Sequence, residues 1–304
     1  MSKPLVSILI PVYNRERLVR RAVESAINQT YGNVEVVAVD NKSTDRTYEV
    51  LKEYAEKYPD VKVYQNEENL GPVRNWQKCL EYSSGGFVKI LFSDDWIEES
   101  FVEKSMEILS ANDNVGFVFT PTLIPHGNEE KVFYKLFNKI GLYSTDIFIR
   151  GSLCTGFFPA SPCNALFKRS DIEKNLILDI PNELDLDFKE LGAGNDLLLF
   201  LLTASQYPYF GYISEPLTHF GAPADSITMS NDLSLYYWMA KKYFVDNFIE
   251  DKNLRKTFYS LLWLVNGKNK GKFKPLLQTN DVSILEVIKI LRKHLSRRMQ
   301  ILIK

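Results

Sequence analysis

The sequence predicts an α/β fold: a mainly parallel sheet with helices on both faces, followed by a helical C-terminal extension. Three observations predict it. Strand-like apolar runs alternate with helix-like patterns over the first 120 residues. The first of these runs, residues 5–10, is apolar apart from Ser7, which is typical of a strand covered by helices on both sides. From about residue 232 onward the patterns are helical.

The individual elements follow from local signals. Ser43 or Thr44 is placed to cap the second helix, and Gly85 follows the third. A glycine-flanked loop leads into an apolar helix that is entered at Asn195 and Asp196. Strands are predicted at 5–10, 34–39, 61–65, 87–92, 115–120 and 209–213, and helices at 16–29, 44–58, 73–83, 97–109 and 195–206.

The composition is that of an ordinary soluble protein, with 45% hydrophobic and 25% charged residues in 304. The three cysteines, Cys79, Cys154 and Cys163, show no CxxC or zinc-type spacing, which favours a reducing compartment. The apolar N-terminal run is too short to span a membrane and lacks the basic start of a signal peptide. We therefore expect a cytoplasmic protein.

Charge is divided unevenly along the chain. Residues 250–304 carry 13 Lys and Arg against 4 Asp and Glu, whereas the preceding residues carry 24 against 34. Within 282–304, apolar residues recur at helical spacing among basic ones, so this tail could lie on an anionic membrane surface. It could equally pack on the preceding domain or form an oligomer contact. A nucleic-acid role is disfavoured because interleaved aromatic residues are missing.

Four polar loops follow predicted strands: 11–15, 40–45, 66–72 and 93–96. Ligands of such sheets bind beyond the carboxyl ends of the strands, where these loops gather. No loop carries GxGxxG or GxxxxGK[ST], which argues against a dinucleotide-binding Rossmann site and a P-loop. A nucleotide bound here would depend on carboxylates, and phosphate beside carboxylate requires a divalent cation.

The acids of these loops allow two interpretations. Asp94 and Asp95 end the fourth strand, and a capping box from Asp95 to Glu98 would explain them without any ligand. Asp40 ends the second strand and could belong to an ordinary turn. Both sets nevertheless lie at one edge of the sheet, and a third acid, Asp196, opens a later helix. This convergence favours a metal and nucleotide site over capping alone.

Five stretches occur in a fixed order along residues 4–230. They are VSILIPVYNRERLVRRAVESAINQTYGNVEVVAVDNKSTDRT, NEENLGPVRNW, GGFVKILFSDDW, GNDLLLFL and EPLTHFGAPADSIT. In sequence and order they resemble the family 2 glycosyltransferases, whose members have the Rossmann-like GT-A fold. The resemblance implies a catalytic domain at 1–231, with a nucleotide-sugar half at about 1–120 and an acceptor half at 121–231. Residues 232–304 would form the helical C-terminal region.

The resemblance also implies a role for each acid. Asp40 would accept a hydrogen bond from the nucleobase, and Asp94 would lie near the ribose. Asp95 would bind Mn²⁺ or Mg²⁺ on the diphosphate, and Asp196 would be the general base that activates the acceptor hydroxyl. The nucleoside would also contact the first loop through Pro11, Val12 and Tyr13.

Three departures from the family pattern affect the metal site. Phe92 stands where members often have another Asp, and the loop after Asp40 lacks the common second acid and glycine. Pro223 stands where many members have a metal-binding His. His219, four residues earlier, is a candidate substitute.

The resulting expectation is a metal-dependent, inverting glycosyltransferase that uses a nucleotide sugar, with UDP as the expected nucleotide. Its acceptor would be a glycan or lipid-linked hydroxyl in cell-surface polysaccharide or lipopolysaccharide synthesis, at the cytoplasmic face of the membrane. Two alternatives remain. A catalytically silent nucleotide- or glycan-binding module is favoured by Phe92 and Pro223. A two-carboxylate hydrolase would use water at Asp196.

Overall fold

The computed structural model describes residues 3–127, 129–268, 271, 274, 277 and 282–290. Its strands are β1 (Val6–Val12), β2 (Val34–Asp40), β3 (Val61–Gln65), β4 (Phe87–Ile90), β5 (Trp96–Ile97), β6 (Val115–Phe119), β7 (Thr122–His126), β8 (Glu129–Phe133), β9 (Gly141–Ser144), β10 (Ala165–Lys168), β11 (Tyr209–Tyr212) and β12 (Thr218–His219). Its helices are α1 (Val19–Ile27), α2 (Thr47–Lys57), α3 (Pro72–Glu81), α4 (Phe101–Leu109), α5 (Thr145–Cys154), α6 (Arg169–Asn175), α7 (Phe188–Leu191), α8 (Asn195–Ala204), α9 (Ile227–Ser230), α10 (Ser234–Phe248) and α11 (Lys252–Lys268). Residues 284–290 are also helical.

The central sheet has the strand order β3-β2-β1-β4-β10-β6-β11-β9 among the described residues. The first four strands are parallel, and β10 runs antiparallel to both of its neighbours. Val12 pairs with Asp40 and Leu9 with Ile90, so β1, β2 and β4 end at the same edge. The predicted mainly parallel α/β sheet is confirmed, and its loops meet where ligands of such folds bind.

Apolar layers cover both faces of this sheet. One layer joins the sheet to α1, α2 and α4, and the other joins it to α3, α5, α6 and α8. The second layer contains a cluster of phenylalanines around Phe117, which contacts the rings of Phe148 and Phe200 edge-on at 5.0 Å. Burial on both faces explains why β1 is apolar along its length.

Several local predictions were wrong. The fourth helix begins at Phe101 rather than Ile97, because Trp96 and Ile97 form β5 and pair with β12. No Asp95–Glu98 capping box forms, and Ser100 takes the N-cap position. Neither Ser43 nor Thr44 caps the second helix. Its first N–H groups are met instead by the Oδ1 of Asp45, which accepts from the backbone of Thr47.

The segment 121–190 contains more regular structure than its pattern indicates. It forms the β7–β8 hairpin, β9, α5, β10 and α6. The hairpin belongs to a second sheet of the order β5-β12-β7-β8, and β10 lies inside the central sheet. Outside the hairpin, β9 and β10 are short and pair with strands distant in sequence, and such pairing leaves little local signal.

The C-terminal region is helical, as predicted. Helices α10 and α11 share a third apolar core with α8, so the region packs directly on the preceding α/β part of the chain. No helix among the described residues has the length and apolar character needed to cross a bilayer. Residues 291–304, which hold most of the predicted basic amphipathic tail, lie outside the described residues.

Candidate active site

A cavity of about 850 Å³ lies at the carboxyl ends of β1 and β4, against α3, α8 and α10. The structure brings five of the predicted site residues to its wall, although they come from distant parts of the sequence. These are Pro11, Val12, Tyr13, Asp94 and Asp196. The remaining three predicted residues, Asp40, Asp95 and His219, do not line it.

The loop after β1 is held in place because its backbone N–H groups donate to side chains of the neighbouring loop and of α2. The N–H of Asn14 donates to the Oγ of Ser43 at 2.8 Å, and the N–H of Arg15 donates to the Oγ1 of Thr47 at 2.7 Å. Asn14 has a φ of 52°, in the left-handed region that asparagine tolerates better than most residues. The loop therefore turns sharply and leaves the ring of Tyr13 40% exposed beside the cavity.

Asp40 is completely buried behind the cavity wall. Its Oδ2 accepts from the N–H of Ser43 at 3.0 Å and from Gln65 at 2.8 Å. Its Oδ1 is buried without a hydrogen-bond partner in the described part of the chain. Because a buried unpaired acceptor costs about 1–3 kcal/mol, a ligand N–H reaching this oxygen would be favoured. Its neighbour Asn41 lines the cavity.

An asparagine framework braces the loop 66–72 against the cavity. The amide of Asn41 donates to Asn69 at 2.7 Å and accepts from Asn66 at 2.9 Å. Asn66 also donates to Asn75 on α3 at 2.9 Å. These mutually satisfied side chains hold two of the predicted ligand loops together, which preorganises this side of the site.

Asp94 and Asp95 have different surroundings. Asp94 lines the cavity, whereas the Oδ1 of Asp95 accepts from the N–H of Gly221 at 2.9 Å. Burial raises the pKa of Asp94. Burial, with the adjacent Asp94 carboxylate, raises the pKa of Asp95 to about 7. The thiol of Cys163 and the buried ammonium of Lys89 lie on the inner side of Asp95 and favour its ionised form.

Gly221 is required by this arrangement. A Cβ at this position would lie 2.0 Å from the carbonyl oxygen of Asp94, closer than any side chain could approach. The loop that follows β12 is thus packed directly on the turn that carries both acids. Any larger residue would separate that loop from Asp95.

The two acids suit a divalent cation. Burial and, after it, the charge of Asp94 raise the pKa of Asp95, and a bound cation would stabilise the ionised form of both acids. The described residues contain no group of three or more His, Cys, Asp or Glu side chains able to hold a metal ion. A cation here would therefore need oxygen ligands from the substrate diphosphate or water, as Mg²⁺ commonly does.

His219 lies away from the cavity wall. Its ring stacks on Trp96 with centroids 4.7 Å apart, and its nitrogens face two carboxylates. Nε2 is 2.7 Å from Glu98, and Nδ1 is 3.4 Å from Glu130. With both nitrogens so engaged, we leave His219 out of the proposed metal site.

Asp196 stands at the first turn of α8 and is 7% exposed. Its Oδ1 accepts from the N–H groups of Gly194 and Leu197, at 2.9 and 2.7 Å. Its Oδ2 accepts from the hydroxyl of Tyr237 at 2.7 Å. Burial raises the pKa of Asp196 to about 6, although these hydrogen bonds oppose it. A carboxyl with such a pKa is ionised at neutral pH and can still accept a proton.

Three cationic side chains line the cavity. Arg15 pairs with Asp225 at 3.0 Å, and Lys189 pairs with Asp179 at 2.8 Å. Arg74, at the start of α3, is exposed and forms no ion pair among the described residues. Within the described residues, the cavity wall thus carries one cation without a carboxylate partner, Arg74, and two cations that are paired with exposed acids.

Sequence reasoning missed two parts of this site. Tyr237 contacts Asp196 from α10, which the sequence assigns to the C-terminal region. The sequence around Tyr237 is an aromatic-rich helical pattern, and this pattern did not indicate that its hydroxyl would contact a carboxylate. The ion pair of Arg15 and Asp225 was also missed. Arg15 lies in the loop 11–15 that follows the first strand, and Asp225 lies in the EPLTHFGAPADSIT stretch. Their charge was the only signal in the sequence that could have indicated a role in the site.

Comparison with known proteins identifies a family and a fold. The profile of a family described as Glycosyl transferase family 2 matches residues 7–176. The minor teichoic acid biosynthesis protein GgaB of Bacillus subtilis is 28% identical over 225 residues, which cover 72% of this chain and 23% of GgaB. The chain spans less than half the length of the curated relatives it matches.

Two solved structures share the fold. A crystal structure of S. aureus TarS in complex with UDP-GlcNAc superposes with a TM-score of 0.66 at 18% identity, covering 87% of this chain and 74% of that one. The mannosyltransferase PcManGT from Pyrobaculum calidifontis, in complex with GDP-Man and Mn²⁺, gives a TM-score of 0.53 at 17% identity, covering 90% and 82%. The predicted fold is confirmed, and with the family profile matching more than half of its length, the chain belongs to glycosyl transferase family 2.

Proposed function

We propose that the chain is a metal-dependent, inverting glycosyltransferase that moves a sugar from a nucleotide donor to a hydroxyl of a glycan or lipid-linked acceptor. The observation that carries this proposal is that Asp94 and Asp196 line one cavity. A diphosphate-binding side and a proton-accepting side thus face the same space, as a single displacement requires.

The donor side is assigned from the residues at the strand ends. The unpaired Oδ1 of Asp40 suits a nucleobase N–H, and the loop from Pro11 to Tyr13 suits the nucleoside face. Asp94 would accept from the ribose. Uracil carries such an N–H, and the structurally similar TarS was crystallised with UDP-GlcNAc, so we favour a UDP-sugar.

Asp95, with Asp94 beside it, would hold Mn²⁺ or Mg²⁺. Such an ion, when bound, neutralises charge that builds on the diphosphate as the glycosidic bond breaks. Arg15, whose charge acts on Asp94, and Arg74 also line the cavity and would add positive charge to it. The metal-bound neighbour PcManGT supports this assignment at the level of the fold.

Asp196 would act as the general base. As the acceptor oxygen attacks the anomeric carbon, its proton passes to the carboxylate of Asp196, and the bond from that carbon to the diphosphate oxygen breaks. One displacement inverts the anomeric configuration. The nucleoside diphosphate leaves with the electron pair of the broken bond.

The test is a screen of nucleotide sugars for thermal stabilisation with and without Mn²⁺, followed by proton NMR of the transferred sugar. We expect one donor class to stabilise the protein only with metal, and a product of inverted anomeric configuration. A retained configuration, or donor hydrolysis that outpaces transfer at saturating acceptor, would contradict the proposal.

We also propose peripheral contact with an anionic membrane. Ile284 and Leu285 are 77% and 71% exposed, and Trp263 is 49% exposed on the neighbouring α11. A hydrogen bond from Ser283 to the Oγ of Ser260 ties this helix to α11. The excess of basic residues after position 250 complements anionic headgroups. With such a contact, the enzyme would act at the cytoplasmic face of the membrane in cell-surface polysaccharide synthesis.

Sedimentation with vesicles containing anionic lipid tests the contact. Exchanging Ile284 and Leu285 for Asp should release the protein into the supernatant, and neutral vesicles should bind it weakly. Unchanged sedimentation of the double variant would reject the membrane contact. If the exchange instead converts a dimer into a monomer without affecting vesicle binding, the face is an oligomer contact and the membrane proposal fails.

A further inference from the structure

The carboxylate of Asp196 has nearly all of its acceptor positions filled. An ionised carboxylate offers about four lone-pair positions, two on each oxygen. The N–H groups of Gly194 and Leu197 occupy Oδ1, and the hydroxyl of Tyr237 occupies one position of Oδ2. One position on Oδ2 therefore remains for an incoming proton.

Both Tyr237 and Asp196 lie beyond the family-matched segment, which ends at residue 176. Tyr237 lies on α10 and lines the cavity beside Asp196. Helix α10 is held against α8 by an apolar core that includes Met239 and Phe244. The hydroxyl is thus carried by a rigid element rather than by a mobile loop.

Gly194 makes this close packing of α8 and α10 feasible. It has a φ of 92°, and a Cβ there would lie 2.9 Å from the ring of Phe188 and 3.1 Å from the Cβ of Ala240. Its N–H also donates to Asp196. The glycine before the helix and the tyrosine on the facing helix together determine where the carboxylate points.

We propose that Tyr237 is a positioning residue for the base: its hydroxyl holds one side of the Oδ2 of Asp196, so that the remaining lone pair of that oxygen faces the acceptor hydroxyl. This inference rests on the proposed role of Asp196. It assigns the C-terminal helical region a direct part in the active site, because α10 supplies the contact.

The hydrogen bond from Tyr237 also affects the pKa of Asp196. The phenols of Tyr237 and Tyr134 both face Asp196. Burial and the Asp196 carboxylate raise the pKa of Tyr237 well above its usual range, so it remains a donor at every working pH. Its donated proton lowers the pKa of Asp196 against the effect of burial.

The pH profile of transfer tests the proposal. In Tyr237→Phe we expect the acidic limb of kcat to move by about one pH unit toward higher pH, because one hydrogen bond to the ionised base is lost. We also expect kcat to fall with little change in the donor KM. Tyr236→Phe is the matched control, since Tyr236 lies on the same helix but packs on Phe188. It should leave the profile unchanged.

A near-isosteric variant covers the case in which Tyr237→Phe does not fold. Replacing Tyr237 by 3-fluorotyrosine makes the phenol a stronger donor, so the acidic limb should move toward lower pH. Opposite shifts in the two variants would support the proposal. Superimposable profiles, or an equal shift in Tyr236→Phe, would overturn it.

Carboxyl NMR separates this inference from the proposed function. The pKa of ¹³C-labelled Asp196, assigned by the signal lost in Asp196→Asn, should rise in Tyr237→Phe. An unchanged pKa overturns the positioning role whatever the activity shows. If the pKa rises but Asp196→Asn retains full transfer, the contact stands and the base assignment fails.

Discussion

The guanidinium of Arg15 lies 3.0 Å from the Oδ2 of Asp225, which joins the loop after β1 to the loop before α9 at the wall of the cavity. The Asp225 side chain is 72% exposed, whereas that of Arg15 is 16% exposed. Exposed ion pairs contribute only about 0–1 kcal/mol. A diphosphate entering the cavity can therefore take the place of Asp225 as the partner of Arg15.

This exchange predicts opposite effects at the two positions. Arg15→Gln should weaken UDP binding about tenfold, which corresponds to about 1.4 kcal/mol. Asp225→Asn should leave UDP binding unchanged or improve it, because Arg15 is released for the diphosphate. Calorimetric titration with UDP in the presence of Mn²⁺ measures both. If the two variants weaken binding equally, the pair acts as a structural link and Arg15 does not contact the diphosphate.

The proposed metal site predicts that UDP and a divalent cation together stabilise the folded protein. UDP with Mn²⁺ at about 100 times the Kd should stabilise the folded protein by about 2.7 kcal/mol and raise Tm by several degrees. EDTA should remove the effect, and Asp95→Asn should abolish its metal-dependent part. Asp171→Asn, which alters a buried acid outside the cavity, is the control. Stabilisation that survives EDTA would count against a bridging metal.

The geometry of the loop before α8 predicts that replacing Gly194 lowers both stability and transfer activity. Gly194→Ala places a Cβ against Phe188 and forces a non-glycine residue to a φ of 92°. We expect about 1–3 kcal/mol of lost stability and a larger loss of transfer, because Asp196 moves with the loop. Gly32→Ala has open space around its Cβ and should be nearly neutral in thermal unfolding. Full activity of Gly194→Ala would show that the loop geometry is not required.

Glu35, a buried acid on β2 at the edge of the sheet opposite the cavity, predicts that the protein loses stability at acidic pH. Hydrogen bonds from Lys62, Ser7 and Ser84 outweigh burial and lower the pKa of Glu35 from 4.5 to about 2. Because the folded-state pKa is the lower one, the stabilisation is fully present above about pH 4.5 and is lost as pH falls toward 2. It amounts to about 3 kcal/mol at most.

Glu35→Gln should remove this stabilisation, and its unfolding free energy should vary less between pH 5 and 3 than that of the unchanged protein. The control is Glu53→Gln, whose carboxylate forms an exposed pair with Arg20. Chemical denaturation at several pH values measures both. Equal pH dependence of the Glu35→Gln variant and the unchanged protein would contradict this account of Glu35.

Local patterns were sufficient to predict the parallel half of the fold and the edge at which ligands bind. The apolar runs of β1 and β2 and the polar loops after them are periodic and continuous, so they carry their own signal. β5 and β12 contain two residues each; β5 pairs with β12, and β12 pairs also with β7, and no local pattern reveals these pairings. The predicted start of the fourth helix at Ile97 was wrong for the same reason, since the pairing of β5 with β12 delays the helix to Phe101.

The site was predicted where a residue's type and position at a strand end were informative. Asp94 and Asp196 reach the cavity as expected from their places after β4 and at the head of α8. The contact between Tyr237 and Asp196 depends on how α10 packs on α8, and a tyrosine in an aromatic-rich helix looks like any core residue. Tertiary packing of this kind cannot be read from one sequence without an alignment.

The most direct measurement is transfer by Asp196→Asn, compared with its affinity for UDP in the presence of Mn²⁺. Asparagine fills the same space and can still accept from the backbone N–H groups, but it cannot take up the proton of the acceptor. We predict donor affinity within about twofold of the unchanged protein and a transfer rate lowered by about 10²–10⁴. Undiminished transfer would contradict the account, because the base would then lie elsewhere.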